Sequence, residues 1–500
     1  TPRHRLESHR SGLLIGSACE SGELFRAVVS GAGDTELRRI ASAYDYLEIQ
    51  PVCNNDFLIN EGKAGSTDDL MEFNRRVVRL GEELGIPVVA TGDVHFLDPK
   101  DEILRRILLA GSGFKDSDRP LPLYFRSTAD MLGQFAYLGE EKAFEVVVAN
   151  PNAIADRVGA LSPVPTGLYP PKIDNSREEL ESLVWTRAKE LYGDDLPPVV
   201  RERLEAEMKD IIGCNYDVIY ISAARLVRSS NEAGYLVGSR GSVGSSLVAY
   251  MAGITEVNAL GPHYRCPSCR ASEFVDDPEY NCGADLPDKL CKCGTPYEKD
   301  GFSIPFETFL GFGGDKIPDI DLNFSSEHQA QAHRNVAELF GADKCFRAGT
   351  IGTLKEKTAY GFVKKYIEER GLKFSRSEEN RLALGCCGVK RTTGQHPGGI
   401  VVIPNDMEIY SFCPVQHPAD DADSGIITTH FEYHAMEDNL LKLDLLGHDD
   451  PTMLKIMGDS TGIDVRSIRL DDSATLSLFT SSVVLGYKDD PILGPTGATA

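Results

Sequence analysis

Hydrophobic patterning divides the first half of the chain into two regions. Across residues 1–110, short apolar runs typical of buried strands, YDYLEIQ and IPVVATGDVHFL, alternate with helical patterns such as DLMEFNRRVVRLGEELG, which a glycine closes. This order predicts an α/β arrangement. From about Phe125 to Ile221 the apolar positions recur at helical spacing, as in PVVRERLEAEMKDIIG, and a proline-rich link, PVPTGLYPPK, interrupts them.

The second half of the chain has a more varied pattern. A Gly/Ser cluster at 238–246 and a cysteine-rich stretch precede a strand-like segment, IPDIDLNF. A basic helical window, a Gly-rich turn in TTGQHPGGIVVIP and the apolar segment LLKLDLLGHDDPT follow. A chain of 500 residues exceeds what one hydrophobic core organises. We therefore expect several domains of the α/β and α+β classes.

Composition narrows the cellular setting. No apolar run approaches the roughly 18–20 residues that cross a bilayer, so we expect no membrane partner and a cytoplasmic protein. Twelve cysteines are too few for a disulfide scaffold in a chain of this length, and five of them lie between Cys266 and Cys293, which indicates a metal site. The chain opens at Thr1 without Met and closes after ILGPTGATA, so we interpret it as an internal fragment.

The distribution of charge matters more than its sum. A net charge of −24 argues against a nucleic-acid partner. Between Lys344 and Arg391, however, twelve Lys and Arg residues face five acidic ones. This window predicts either a phosphate-binding surface or an ordinary solvated helical face.

Two acidic segments are candidates for a metal centre. Asp319 and Asp321 flank Ile320 in a strand-like segment, so their side chains share one face, although such a pair also occurs at exposed strand edges and turns. Asp444 lies among leucines, where a buried charge needs a partner. Three carboxylates on adjacent strands would hold two Mg²⁺ ions. Lys442 would share the face of Asp444 and neutralise phosphate, donate a proton or serve as a counter-ion.

The acids Asp449 and Asp450 follow Gly447 and are typical of a turn or a helix start. We therefore prefer Asp444 as the third carboxylate.

The Gly/Ser cluster predicts a phosphate site. Glycines allow close approach of backbone N–H groups, and the helix that follows would favour an anion at its N-terminus, so a triphosphate could bind there. Gly/Ser runs also form tight packing turns. The candidate nucleotide-binding residues are Gly238, Ser239, Arg240, Gly241 and Ser242.

The cysteine spacing predicts a closed zinc ribbon with a structural Zn²⁺. Cys266, Cys269 and Cys293 are three ligands, and the fourth is either Cys291 or Cys282.

A third candidate site lies in the first region. Asp93 and His95 end a buried strand, and Cys19 follows another strand-like run. Carboxylate, imidazole and thiolate at strand ends are typical of a metal cluster in barrel hydrolases, although an Asp-x-His pair is more often structural.

Four segments carry a family resemblance. GSRGSVGSSLVAY, PDIDLNF, KRTTGQHPGGI and LLKLDLLGHDDPT closely resemble the C family of bacterial replicative DNA polymerases, of the PolC type found in Gram-positive bacteria. YDYLEIQP, VVATGDVH, IPFETFLGF and RAGTIGTLKEKTAYGFVKKY extend the resemblance along essentially the whole chain.

The resemblance implies a domain order. Residues 1–112 would be the C-terminal part of a PHP (β/α) barrel, and residues 113–345 the first part of a polymerase-β-like nucleotidyltransferase palm, with a helical connection and a small zinc ribbon at about 263–300. Residues 346–392 would form a helical thumb, 393–450 the second part of the palm, and 451–500 the start of the fingers.

The resemblance also implies roles. Asp319, Asp321 and Asp444 match the Mg²⁺ ligands, Lys442 a palm lysine, and the Gly241–Ser242 turn the element that binds dNTP. The thumb would grip primer-template DNA, and sliding clamp and replisome partners would bind regions outside the chain. Cys19, Asp93 and His95 would be the remnant of a split PHP cluster whose other ligands lie upstream, so we do not expect stable metal binding there. The thumb residues expected to contact DNA are Lys355, Lys357, Lys364, Lys390 and Arg391.

Two other functions compete with DNA synthesis. One is a PHP-type metal-dependent phosphoesterase centred on Asp93 and His95, and the other is a zinc-stabilised DNA-binding module without enzymatic activity. We expect template-directed polymerisation for the intact protein and little or none for these 500 residues alone.

Overall fold

A computed structural model describes residues 3–114, 117–119, 121–311, 320–469 and 471–488. The chain forms two compact units, of which the first comprises Thr1–Leu161 with Thr353–Arg391 and the second comprises Ser162–Gly352 with Thr392–Ala500. The expected multidomain mixture of α/β and α+β structure is confirmed at this level. No helix within the described ranges is long and apolar enough to cross a membrane.

The α-helices, numbered along the chain, are α1 Arg3–Ser8, α2 Glu23–Val29, α3 Asp34–Ala41, α4 Phe57–Asn60, α5 Thr67–Leu84, α6 Glu102–Gly111, α7 Thr128–Gln134, α8 Glu140–Phe144, α9 Asn150–Asp156, α10 Ser176–Tyr192, α11 Pro198–Gly213, α12 Asp217–Glu232, α13 Leu247–Met251, α14 Glu307–Leu310, α15 Gln329–Phe340, α16 Glu356–Glu369, α17 Arg376–Cys386, α18 Asp449–Thr461 and α19 Ser473–Ser477.

The strands are β1 Leu47–Ile49, β2 Val88–Ala90, β3 Gly238–Arg240, β4 His263–Arg265, β5 Ser272–Phe274, β6 Glu298–Asp300, β7 Asp321–Ser325, β8 Cys345–Thr353, β9 Lys390–Val402, β10 Val415–Gln416, β11 Thr428–Glu432 and β12 Leu441–His448.

The first unit contains the predicted α/β alternation. Strands β1 and β2 pair in parallel, with Leu47 opposite Val88. Helix α5 connects them and packs on β1. It begins at the N-cap Ser66, whose side chain accepts a hydrogen bond from the Asp69 N–H, and ends at Gly85 in the left-handed conformation. The predicted glycine stop is thus confirmed.

Two helices from the later stretch of the first unit, α16 and α17, pack on α6. Ile107, Val363 and Leu382 are fully buried at this contact. The helical segment predicted from residue 346 begins only at Glu356, because Cys345–Thr353 form strand β8.

The second unit is built on a seven-stranded mixed sheet in the order β10-β11-β8-β9-β12-β7-β3. Strand β12 runs parallel to β7 and antiparallel to β9, and β3 runs antiparallel to β7. On β12, Leu441, Leu443 and Leu445 are buried in a core shared with α10, α11, α12 and α15. Because side chains alternate along a strand, Lys442 and Asp444 lie on the opposite face of the sheet.

One predicted element is wrong. The Gly-rich turn expected in TTGQHPGGIVVIP is part of strand β9, which continues from Lys390 to Val402 through His396, Pro397 and Gly398. The pairing of Val402, Val401, Ile400 and Gly399 with β12 overrides the local turn signals of Gly and Pro.

We expect Gly349→Ala to lower the free energy of unfolding of the second unit by roughly 1–3 kcal/mol through overpacking. A Cβ at this position in β8 would lie 2.0 Å from the Thr429 main-chain oxygen on β11. Urea unfolding followed by fluorescence reports on this unit, since Trp185 on α10 is the single tryptophan and packs against its core.

Gly213→Ala is the matched control. No described atom lies within 4 Å of the added Cβ, and alanine favours the helix. A midpoint in Gly349→Ala equal to that of this control would contradict the close approach of β8 and β11.

Candidate functional site

Two of the three predicted carboxylates are direct neighbours in the sheet. Asp444 on β12 is the register partner of Asp321 on β7. Adjacent strands lie about 4.8 Å apart, and partners opposite one another project from the same face. The third predicted carboxylate, Asp319, lies outside the described residues.

The two oxygens of Asp444 have different surroundings. The residue is only 7% exposed. The Lys442 ammonium lies 2.8 Å from Oδ2 and 4.6 Å from the centre of the Tyr433 ring. Oδ1 is buried and has no hydrogen-bond partner within the described part of the chain. A buried acceptor left in this state costs about 1–3 kcal/mol, so Oδ1 is a suitable ligand for a cation.

His396 on β9 adjoins Asp444 and was missed by sequence reasoning. Its Nδ1 accepts hydrogen bonds from the Gly399 N–H at 2.7 Å and the Gly398 N–H at 3.3 Å. Nδ1 therefore carries a lone pair and the ring proton is on Nε2. The 3.7 Å separation between Nδ1 and Asp444 Oδ1 is consequently not an ion pair.

Gly399 leaves the room that His396 needs to lie beside Asp444. It is the register partner of Asp444, and a Cβ there would lie 2.8 Å from His396 Nδ1 and 3.2 Å from Asp444 Oδ1. The signal in the sequence is the pair of glycines after His396 and Pro397, which the local pattern alone assigns to a turn.

The Gly/Ser segment borders the carboxylates on the other side. Arg240, the last residue of β3, is the register partner of Asp321. Arg240, Asp321, Asp444 and Gly399 thus form a continuous row across four strands. A 3-10 turn, Gly241–Ser245, follows directly and opens with Gly241 at φ 72°. The structure therefore places a basic residue and a Gly/Ser turn beside the acidic pair.

The N–H groups at the start of α13, which the sequence pattern predicted to favour an anion, have acceptors within the protein. The Leu247 and Val248 N–H groups donate to the carboxylate of Glu207 on α11, each at 3.0 Å. The Ala249 N–H donates to Ser246 Oγ at 3.1 Å. These amides already have acceptors, so a triphosphate cannot use them.

The predicted cysteine cluster has four members. The Sγ atoms of Cys266, Cys269, Cys291 and Cys293 all lie within 4.8 Å of one another. The nearest pairs are Cys269 with Cys291 at 3.4 Å and Cys266 with Cys293 at 3.5 Å. Tetrahedral zinc bonded to sulfur at about 2.3 Å needs sulfurs roughly 3.8 Å apart, so this donor set fits.

Of the two candidates for the fourth ligand, the structure brings Cys291 together with the other three cysteines. Cys282 is not part of the four-cysteine group that the structure describes. The small sheet of β5, β4 and β6 supports the cluster, since Cys266 directly follows β4.

At the site predicted in the first unit, the structure brings Asp93 and His95 together. His95 Nε2 lies 3.4 Å from Asp93 Oδ1, and Asp93 has φ 50°, an unusual value away from glycine. Burial raises the pKa of the Cys19 thiol, which disfavours the thiolate that a metal requires. Within the described ranges, the four ribbon cysteines are the one group of three or more potential ligands at metal-binding distances.

The candidate DNA-binding residues differ in how they are engaged. Lys355, Lys357 and Lys390 are exposed. The Lys364 ammonium lies 3.2 Å from the Glu379 carboxylate, which raises the pKa of the lysine and neutralises its charge. The Arg391 guanidinium lies 5.7 Å from the centre of the Phe362 ring.

A family model decides the classification. The model described as the bacterial DNA polymerase III alpha NTPase domain matches residues 178–376 and 363–447, more than half of the chain. The chain belongs to this family. The matched region contains β3, β7, β12 up to residue 447 and the four-cysteine cluster. It therefore includes the whole row of Arg240, Asp321, Asp444 and Gly399.

Relatives of this polymerase III alpha family member confirm the PolC resemblance. The chain is 57% identical over 492 residues to "DNA polymerase III PolC-type" of Clostridium perfringens. The aligned region covers 98% of the chain and 34% of the relative. It is 57% identical over 497 residues to the protein of that name from Caldanaerobacter subterraneus, covering 99% and 36%. The Staphylococcus aureus Mu3 protein is 51% identical over 499 residues, covering 99% and 35%. The chain thus spans about a third of the length of these relatives.

We expect this family member to retain about one equivalent of a thiophilic divalent metal after purification. Cys291→Ser should abolish retention, because it removes one of four thiolates from a closed site. Cys282→Ser is the matched control and should leave the metal in place. Metal content by mass spectrometry checks both, and loss of metal in Cys282→Ser with retention in Cys291→Ser would reverse the ligand assignment.

Proposed function

We propose that the chain carries the nucleotidyl-transfer centre of a template-directed DNA polymerase acting in bacterial chromosome replication. The observation that carries the proposal is the register pairing of Asp321 with Asp444, whose Oδ1 is buried and has no partner among the described residues. Membership in the polymerase III alpha family and the names of the relatives support it. Its substrates would be dNTP and primer-template DNA.

Asp321, Asp444 and the undescribed Asp319 would hold two Mg²⁺ ions. Their oxygen ligands suit this hard cation, and the buried Oδ1 of Asp444, which has no partner among the described residues, supports a cation site. When bound, the metals would supply Lewis-acid activation of the primer hydroxyl and stabilisation of the leaving pyrophosphate.

The chain's own basic groups would neutralise phosphate charge at this face. Lys442 already offsets one oxygen of Asp444, and its ammonium lies where it can also attract an incoming triphosphate or donate a proton. Arg240 stands beside Asp321, next to the Gly238–Ser242 segment that would bind the nucleotide. Because phosphoryl chemistry needs little covalent help from the protein, positioning and charge neutralisation would carry the catalysis.

The remaining parts take the roles implied by the family. Residues 1–112 would belong to a PHP barrel, residues 113–345 and 393–450 to the palm, residues 346–392 to a thumb that grips DNA through phosphates, and residues 451–500 to the start of the fingers. One structural Zn²⁺ would be held by Cys266, Cys269, Cys291 and Cys293, a closed set without an open position for substrate. Sliding clamp and replisome proteins would be partners of the longer polymerase, and its location would be the cytoplasm.

We expect Asp321→Asn and Asp444→Asn each to weaken Mn²⁺ binding by at least about tenfold, since each removes a charged oxygen ligand. Electron paramagnetic resonance of the purified chain measures free Mn²⁺. In a longer form with primer-extension activity, the same changes should lower the rate by at least about 10²-fold.

Asp449→Asn is the matched control for charge. Asp449 starts α18, is exposed and accepts a hydrogen bond from Ser326 at 2.9 Å. Unchanged Mn²⁺ affinity in both Asp321→Asn and Asp444→Asn would overturn the proposed metal centre.

We expect Lys355→Ala combined with Lys357→Ala to weaken duplex binding and to reduce the slope of log K against log salt by about 0.9 for each phosphate that the protein no longer neutralises. Fluorescence anisotropy across a salt series measures the slope. Lys364→Ala should change it less, since Glu379 already neutralises Lys364. An unchanged slope in the double variant would show that this surface is only a solvated helical face.

A further inference from the structure

Two side chains of α11 form hydrogen bonds to the end of the Gly/Ser segment and to the start of α13. Glu207 is 0% exposed and accepts three hydrogen bonds from the start of α13. The donors are the Leu247 and Val248 N–H groups and Ser246 Oγ, the last at 2.9 Å. A buried carboxylate with this many donors is strongly fixed in place, since moving it would leave both the charge and the donors unsatisfied.

Arg203 completes this support. Its Nε donates to Glu207 at 2.5 Å, and its Nη2 donates to the main-chain oxygens of Ser245 at 2.8 Å and Ile304 at 3.0 Å. The guanidinium therefore neutralises the buried carboxylate and binds the backbone of the Gly/Ser turn at the same time.

The bonding continues into the candidate nucleotide-binding residues. Ser245 Oγ donates to the Ser242 main-chain oxygen at 2.6 Å. Hydrogen bonds through Ser245 thus link the α11 pair to Ser242, which lies two residues after Arg240, the register partner of Asp321.

We propose that Glu207 and Arg203 are positioning residues for nucleotide binding: they fix the Gly238–Ser242 segment and, by occupying the N–H groups of α13, direct the triphosphate to the start of the turn at Gly241 and Ser242, beside Arg240. This rests on the proposed function, which assigns dNTP to that segment. Neither residue reaches the acidic pair through any contact that the structure describes. Their effect should therefore fall on nucleotide affinity and not on metal affinity.

Glu207→Gln tests the carboxylate with little change of volume. The amide presents an NH₂ group to N–H donors, so one bond is replaced by a repulsive contact and the turn must shift. Binding of labelled dATP in the presence of Mg²⁺, measured by equilibrium dialysis of the full chain, should weaken by about tenfold or more. Mn²⁺ affinity should stay within about twofold of the parent chain, because the metal ligands on β7 and β12 are untouched.

Arg203→Lys is the second variant, and it guards against loss of folding in Glu207→Gln. Lysine keeps the charge opposite Glu207 but cannot reproduce the fork that binds Ser245 and Ile304. It should weaken dATP binding by about threefold or more with Mn²⁺ affinity unchanged. Glu205→Gln, an exposed position on the same helix, is the matched control and should alter neither affinity.

The outcomes separate the two hypotheses. If the parent chain binds Mn²⁺ and dATP but both α11 variants bind dATP normally, the positioning role is overturned and the proposed function stands. The same holds if the variants lose thermal stability and Mn²⁺ affinity together, which is the signature of a purely structural pair. Failure of the parent chain to bind dATP while it binds Mn²⁺ removes the nucleotide segment and this inference with it, and failure to bind Mn²⁺ overturns the metal centre itself.

Discussion

The parallel pairing of β7 with β12 is the constraint on which the rest of the site depends. It makes Asp321 and Asp444 direct neighbours, although two ionised carboxylates in that position repel each other. The buried leucines on the other face of the same strands hold the pairing, because a slip by one residue would turn them away from the core and turn the acids into it. Apolar burial at about 25 cal/mol per Å² thereby holds the two acids side by side, with Lys442 and Arg240 next to them as counter-charges.

Local signals in the sequence predicted much of this architecture. The leucine alternation around Asp444 indicated a strand with a polar face, and the acids after Gly447 indicated the helix that begins at Asp449. The cysteine spacing predicted a cluster that includes Cys266, Cys269 and Cys293, and the structure brings these three thiols together. These features depend on residues close together in the chain, where periodicity and spacing carry the information.

Long-range contacts account for what sequence reasoning missed. The glycines after His396 fit a turn until β12 supplies a strand partner that needs a close approach at Gly399. Glu207 caps α13 from forty positions upstream, a pairing that no local pattern reveals. The choice of Cys291 over Cys282 likewise depends on how β4 and β6 fold back on one another, since both thiols satisfy the spacing.

The four-cysteine ribbon also has a consequence for oxidation chemistry. Its nearest sulfur pairs lie 3.4 and 3.5 Å apart, so each needs to close by only about 1.4 Å to reach disulfide bonding distance. Removal of a bound metal would leave paired thiols open to oxidants, and the resulting crosslinks would exclude the metal until a reductant cleaved them. With a metal bound as proposed, the integrity of this small sheet would depend on the thiol redox balance of its surroundings as well as on metal supply.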